Sequence, residues 1–220
     1  LVWLSGDYGL VFLGLAVSFA LLLPGARDGA RAPLPEGGSS FRPDWAILAF
    51  GACGIGLEAA LIGLGPSALV RSGATETQGA EAMSAFFVAF LAARMVQTVI
   101  AHRIAPFALF GLSITGVALC MALATVLPPM VLFVASGAFA ATIFPSYFVE
   151  AARRMGQSPR VSPAIIAGGL VGGISLPFLL AQITETMGPR GFFQLMAGLG
   201  GIMALAALGA LFARRRSLQA

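Results

Sequence analysis

Residues 45–70 read WAILAFGACGIGLEAALIGLGPSALV, twenty-six residues with a single charged side chain, Glu58. At 1.5 Å per residue this run is long enough to cross a hydrocarbon core about 30 Å thick as an α-helix. Glu58 then falls near the bilayer midplane, where a carboxyl group costs on the order of a few kcal/mol unless it faces a wet cavity, meets a partner or keeps its proton. The glycines at 54, 56, 63 and 65, followed by Pro66, are expected to weaken the helix around it, as in the broken helices that line transport cavities. Two readings stay open for Glu58. It handles substrate or protons, or it is a neutral acid hydrogen-bonded to a neighbouring helix for structure.

The rest of the chain has the same character. Of 220 residues, 58% are hydrophobic and 10% charged, and the mean hydropathy is +0.92. A soluble domain carries about 25% charged residues, and one of this size could not enclose so much apolar surface. Charge clusters and Pro/Gly punctuation cut the sequence into seven apolar stretches, at 8–24, 45–70, 83–101, 104–125, 128–152, 162–186 and 190–213. Lipid tolerates no unpaired backbone, and no alternating barrel pattern is present. The expected fold is all-α, a polytopic bundle of seven transmembrane helices in contact with the lipid bilayer.

All thirteen basic residues are arginines, and lysine is absent. A retinal Schiff base and a phosphate loop ending in Lys are therefore excluded. Ten arginines flank the spans on one side (27, 31, 42, 103, 153, 154, 160, 214, 215, 216), two on the other (71, 190), and Arg94 lies within a span. The positive-inside rule puts Leu1 outside and Ala220 in the cytoplasm. A net charge of +4 so distributed is a topology signal, so no nucleic-acid partner is expected. His102 has no second ligand at helical spacing, and Cys53 and Cys120 lie in apolar runs; no metal site is expected. Ala135-Ser136-Gly137 lacks the leading glycine and following histidine of an intramembrane serine protease, so the chain is not read as an enzyme and needs no cofactor.

Within the spans, Arg94 sits about two turns before the cytoplasmic end of its helix and is expected to snorkel to that surface. Pairing with Glu58 would need a bridging water or substrate. Pro145, in Thr142-Ile-Phe144-Pro145-Ser146-Tyr147, kinks the fifth span and frees a carbonyl, a geometry suited to a gate. Ser136, Thr142 and Tyr147 offer hydroxyls to a polyol or carboxylate, although Ser and Thr in such helices commonly bond their own backbone. Gly168, Gly169, Gly172 and Gly173 form two overlapping G-x-x-x-G steps, read as a packing face that could also slide, with Gly172 and Gly173 as gating candidates.

The segment from Pro24 to Pro43 is rich in Gly, Pro, Ser and Arg and reads as a cytoplasmic linker. It divides the chain into 1–24, one helix; 25–43, the linker; and 44–220, six helices. One helix, a long loop and a group of six resemble the last helix of the first half and the whole second half of a major facilitator superfamily transporter. Met83 to Phe87, Ala93-Arg94 and Ala101-His102-Arg103 are similar to that family's eighth helix and following loop, with Ala93 and His102 departing from its usual glycine and acid. Gly56-x-Glu58, Ile143-Phe144-Pro145-Ser146 and Val171-Gly172-Gly173 with Pro177 resemble the seventh, tenth and eleventh helices of its fucose and glucose/galactose–proton symporter branch. The resemblance implies a 6 + 6 fold whose missing N-terminal half is a partner. It further implies alternating access to a small-molecule substrate such as a sugar, coupled to protons through Glu58, with Arg94, Ser136 and Tyr147 lining the site, in a bacterial inner membrane. It places the spans at 45–70, 83–101, 128–152 and 162–186 around a central cavity and turns those at 8–24, 104–125 and 190–213 to lipid. A different class also fits seven spans: a receptor or regulatory module that binds a ligand without moving it.

Overall fold

The computed structural model describes residue 17 and residues 41–217, the last four as backbone alone. The span expected at 8–24 and nearly all of the linker at 25–43 lie outside the described residues. The described residues form seven helices and no strand: α1 (Trp45–Arg71), α2 (Glu76–Ile100), α3 (Pro106–Ala124), α4 (Pro129–Ala140), α5 (Ile143–Met155), α6 (Val161–Thr186) and α7 (Gly191–Ser217). With α4 and α5 counted as one crossing, six segments are long and apolar enough to span a membrane.

The helix starts follow from local chemistry. The Asp44 carboxylate accepts from the amides of Ala46 and Ile47 at 3.1 Å and caps α1. Thr75 and Gln78 form a capping box, which begins α2 seven residues before the expected span at 83–101. Pro106 and Pro129 open α3 and α4, where a missing N–H does no harm. Gly73 and Gly156, at φ 107° and 91°, turn the chain after α1 and α5 in a conformation few other residues adopt.

Short connections make successive crossings antiparallel. One end of the bundle therefore collects Asp44, Arg103, Arg153, Arg154 and Arg160, and the other Arg71 and Arg190. At the first end Arg154 pairs with Glu150 at 2.7 Å and Asp44 at 3.4 Å, with its guanidinium 4.9 Å over the Phe107 ring. At the second, Arg71 donates to the Thr184 carbonyl and Arg190 to that of Thr125, each a cation closing the C-terminal carbonyls of a neighbouring helix.

α1 lies chiefly against α6, α3 against α7, and α2 against α4. Two sequence expectations are corrected here. First, α1 is unbroken from Trp45 to Arg71 despite its glycines and Pro66. With no water to bond a freed backbone, the helical bonds are kept, and the glycines serve contact. A Cβ on Gly51 would meet the Tyr147 ring at 2.0 Å, one on Gly65 the Phe133 ring at 2.2 Å, and one on Gly56 the Gly172 carbonyl at 2.8 Å. Second, the span at 104–125 does not simply face lipid. In its most apolar eighteen residues α3 is 67% buried, against 11% for α2 and 22% for α6. Small residues cause this: Gly116 lies under the Phe139 ring and Ala118 meets Gly200 of α7. Outward apolar surfaces include those of α2 (Val88, Leu91, Met95, Val99), α6 (Val171, Ile174, Phe178) and α7 (Ile202, Leu205, Phe212).

Candidate functional site

Glu58 is the central residue of α1, thirteen residues from each end and so about 20 Å from either. Its Oε2 is buried with no hydrogen-bond partner, the one such side-chain atom among the described residues. A buried polar group without a partner forfeits about 1–3 kcal/mol, more if charged, so its persistence calls for an occupant, a proton or a mobile donor. The charge that bears on it electrostatically is Arg94 of α2. Within 4.0 Å, the ion pairs among the described residues are those of Arg154 alone, so Glu58 and Arg94 act on each other through space without forming an ion pair.

Arg94 does not snorkel as expected. Its guanidinium lies 4.9 Å from the Phe90 ring, one turn toward the N-terminus of α2, and its Nε donates to the Ala141 carbonyl at 3.1 Å. The direction has a backbone cause. Helical Cα–Cβ bonds tilt toward the N-terminus, which for α2 is the far end of the bundle, so the stem starts away from the near surface.

The carbonyl that receives Arg94 is the one Pro145 leaves free. An amide at 145 would bond the carbonyl four residues back, Ala141, and proline has no N–H. The crossing accordingly breaks at Ala141–Thr142, one turn before the proline, and resumes as α5. Around the break lies a seam of polar side chains. Gln97 of α2 donates to Ser146 Oγ at 3.3 Å, Ser113 of α3 shares a short hydrogen bond with the Thr142 hydroxyl, and Ser113 also donates to the Leu109 carbonyl at 2.7 Å. A cleft of about 350 Å³ opens beside it, between α2, the α2–α3 connection and α5, with Arg94, Gln97, Pro145 and Ser146 in its wall.

The other sequence candidates stand apart. Ser136 is fully buried and donates to the Phe133 carbonyl at 2.6 Å, a bond to its own helix. Tyr147 is fully buried and donates to the Ile165 carbonyl of α6 at 3.0 Å, its ring filling the space over Gly51. Both hydroxyls donate to protein carbonyls, so the proton of each is already engaged within the protein. Gly172 holds α6 against α1: a Cβ there would sit 1.7 Å from the Ala52 carbonyl oxygen. Gly173 lies beside Ile55 with room for a methyl, and α6 runs unbroken past both glycines and Pro177.

The structure thus brings together Arg94, Pro145 and Thr142, with Glu58 linked to them electrostatically through Arg94, and adds Gln97, Ser113 and Ser146. Gln97 was legible as the i+3 neighbour of Arg94, on the same helical face. The meeting of Ser113 with Thr142 joins residues 29 apart in sequence and has no local signal. No family model, curated protein or solved structure matches this chain.

Proposed function

We propose that the chain is part of a secondary active transporter that moves a small solute across the membrane by alternating access, coupled to protons through Glu58. The observation that carries this reading is the buried, unpartnered Oε2 at the centre of α1, within the electrostatic influence of a guanidinium that itself braces a broken helix. A carboxyl group in that position exchanges a proton or a substrate hydrogen bond with little competition from its surroundings. Any change in its charge acts on Arg94, and through Arg94 on the break at Ala141–Thr142.

In the same reading the six crossings are the second half of a 6 + 6 bundle, preceded by a seventh span at 8–24. The arginine-rich end lies in the cytoplasm of a bacterial inner membrane, and a partner half completes the pathway. A sugar is the cargo that the short motifs around Gly56, Pro145 and Gly172 favour.

The test is uptake into proteoliposomes by the full-length protein, both halves included, screened over labelled sugars and organic acids with and without an imposed proton gradient. Glu58→Gln is expected to abolish gradient-driven accumulation while leaving exchange of solute across the membrane. Undiminished accumulation in Glu58→Gln with unchanged pH dependence overturns the assignment. Ligand binding with no accumulation under any gradient returns the chain to the receptor class.

A further inference from the structure

The cleft beside the helix break differs from a polyol site in what its wall leaves unused. Six of its ten lining residues are apolar, among them Ile104, Leu109 and Val149. Of the polar four, three are already engaged: Thr98 Oγ1 donates to the Met95 carbonyl at 2.7 Å, and the Gln97 amide donates to Ser146 Oγ at 3.3 Å. The fourth is Arg94. Its Nε is spent on Ala141, but its two Nη nitrogens take no hydrogen bond among the described residues. Nor are they buried atoms lacking a partner, since Glu58 Oε2 is the one in that condition, so the Nη pair is reachable. The cleft therefore offers one accessible cationic fork, with the Gln97 carbonyl oxygen beside it and a mostly apolar wall, in a volume suited to a small ligand. A sugar would lose water from several hydroxyls against a wall with few polar groups to replace it.

We infer that this cleft binds a small amphipathic organic anion, its carboxylate on the Arg94 Nη pair and its apolar body against Ile104, Leu109 and Val149. A planar carboxylate matches the guanidinium fork, and a bond between charged groups in an apolar surround is stronger than the same bond in water. As a statement about cargo this rests on the transport reading above; as a binding site it does not.

The test is titration of the full chain in nanodiscs of zwitterionic lipid with benzoate, benzamide and inorganic phosphate, followed by isothermal calorimetry. Benzoate is expected to bind, benzamide about tenfold more weakly or worse, and phosphate without measurable heat. Arg94→Gln should weaken benzoate by about tenfold or more. Thr98→Phe, a change at an exposed lining residue one turn after Arg94, fills the cleft while keeping the arginine itself and should do the same even if Arg94→Gln fails to fold. Equal binding of benzamide and benzoate, or full binding by either variant, overturns the proposal. So does loss of benzoate binding when phosphatidylglycerol is added to the disc, which assigns the cleft to a lipid headgroup. Benzoate binding in a protein that accumulates no solute removes the transport reading and leaves the site, whereas gradient-driven uptake without benzoate binding removes the site and leaves transport.

Discussion

Three crossings of this bundle carry helix-breaking residues; α6 runs unbroken past Pro177, and the other two, α1 and α4–α5, behave in opposite ways. α1 holds Gly51, Gly54, Gly56, Gly63, Gly65 and Pro66 and runs unbroken for 27 residues. The α4–α5 crossing holds Gly137 and Pro145 and breaks at Ala141–Thr142. Both prolines free a carbonyl four residues back, Ile62 in α1 and Ala141 in α4–α5. Among the described residues a donor from another helix reaches only the second, through Arg94 Nε. In lipid a helix opens where a replacement donor is waiting, and glycine content alone does not open it. The glycines of α1 instead bring other helices close, so the stretch most suggestive of a break is the tightest seam in the bundle.

The comparison can be broken most violently at that seam. Gly172→Leu, or even Gly172→Ala, places a Cβ against the Ala52 backbone and is expected to cost about 3 kcal/mol or more. Thermal unfolding in detergent should show a large fall in Tm; an unchanged Tm means that α1 and α6 do not meet there.

Removing the replacement donor comes next. Arg94→Met leaves the buried Ala141 carbonyl without its partner, an expected loss of about 1–3 kcal/mol by the same unfolding measurement. The break itself is sharpened by Pro145→Ala, which restores an amide able to bond Ala141. Exchange of the amide hydrogens at 142–146 should slow, with a gain of about 1 kcal/mol. In the double variant the Arg94→Met loss should shrink, because the carbonyl then has a backbone partner. Strict additivity would separate the arginine from the break.

The smallest effect is expected at Gly63, one turn beyond Glu58, where an added Cβ meets open space. Gly63→Ala should leave Tm unchanged or raise it by the helix-propensity difference, at most about 1 kcal/mol. A large loss there would mean that something covers this face of α1.

The membrane class was legible because it rests on composition: apolar runs long enough to span, set apart by arginine clusters and Pro/Gly punctuation. Glu58 was legible for the same reason, as a carboxyl group stranded among apolar residues. The site around it was less so. Ser136 and Tyr147 looked available as hydroxyls, yet a carbonyl within reach claims each. Arg94 looked bound for the near surface, yet the tilt of its Cα–Cβ bond and the freed Ala141 carbonyl turn it inward.

What the amino-acid order settles by itself is every quantity summed along one helix: length, hydropathy, capping and the carbonyl that a given proline releases. Tertiary structure alone decided which released carbonyl finds a donor, which glycine meets another backbone, and that the charge of an arginine on α2 bears on an acid on α1. Those outcomes turn on tenths of an ångström between segments distant in sequence, and in a solvent with no hydrogen bonds to offer, the nearest protein atom decides each one.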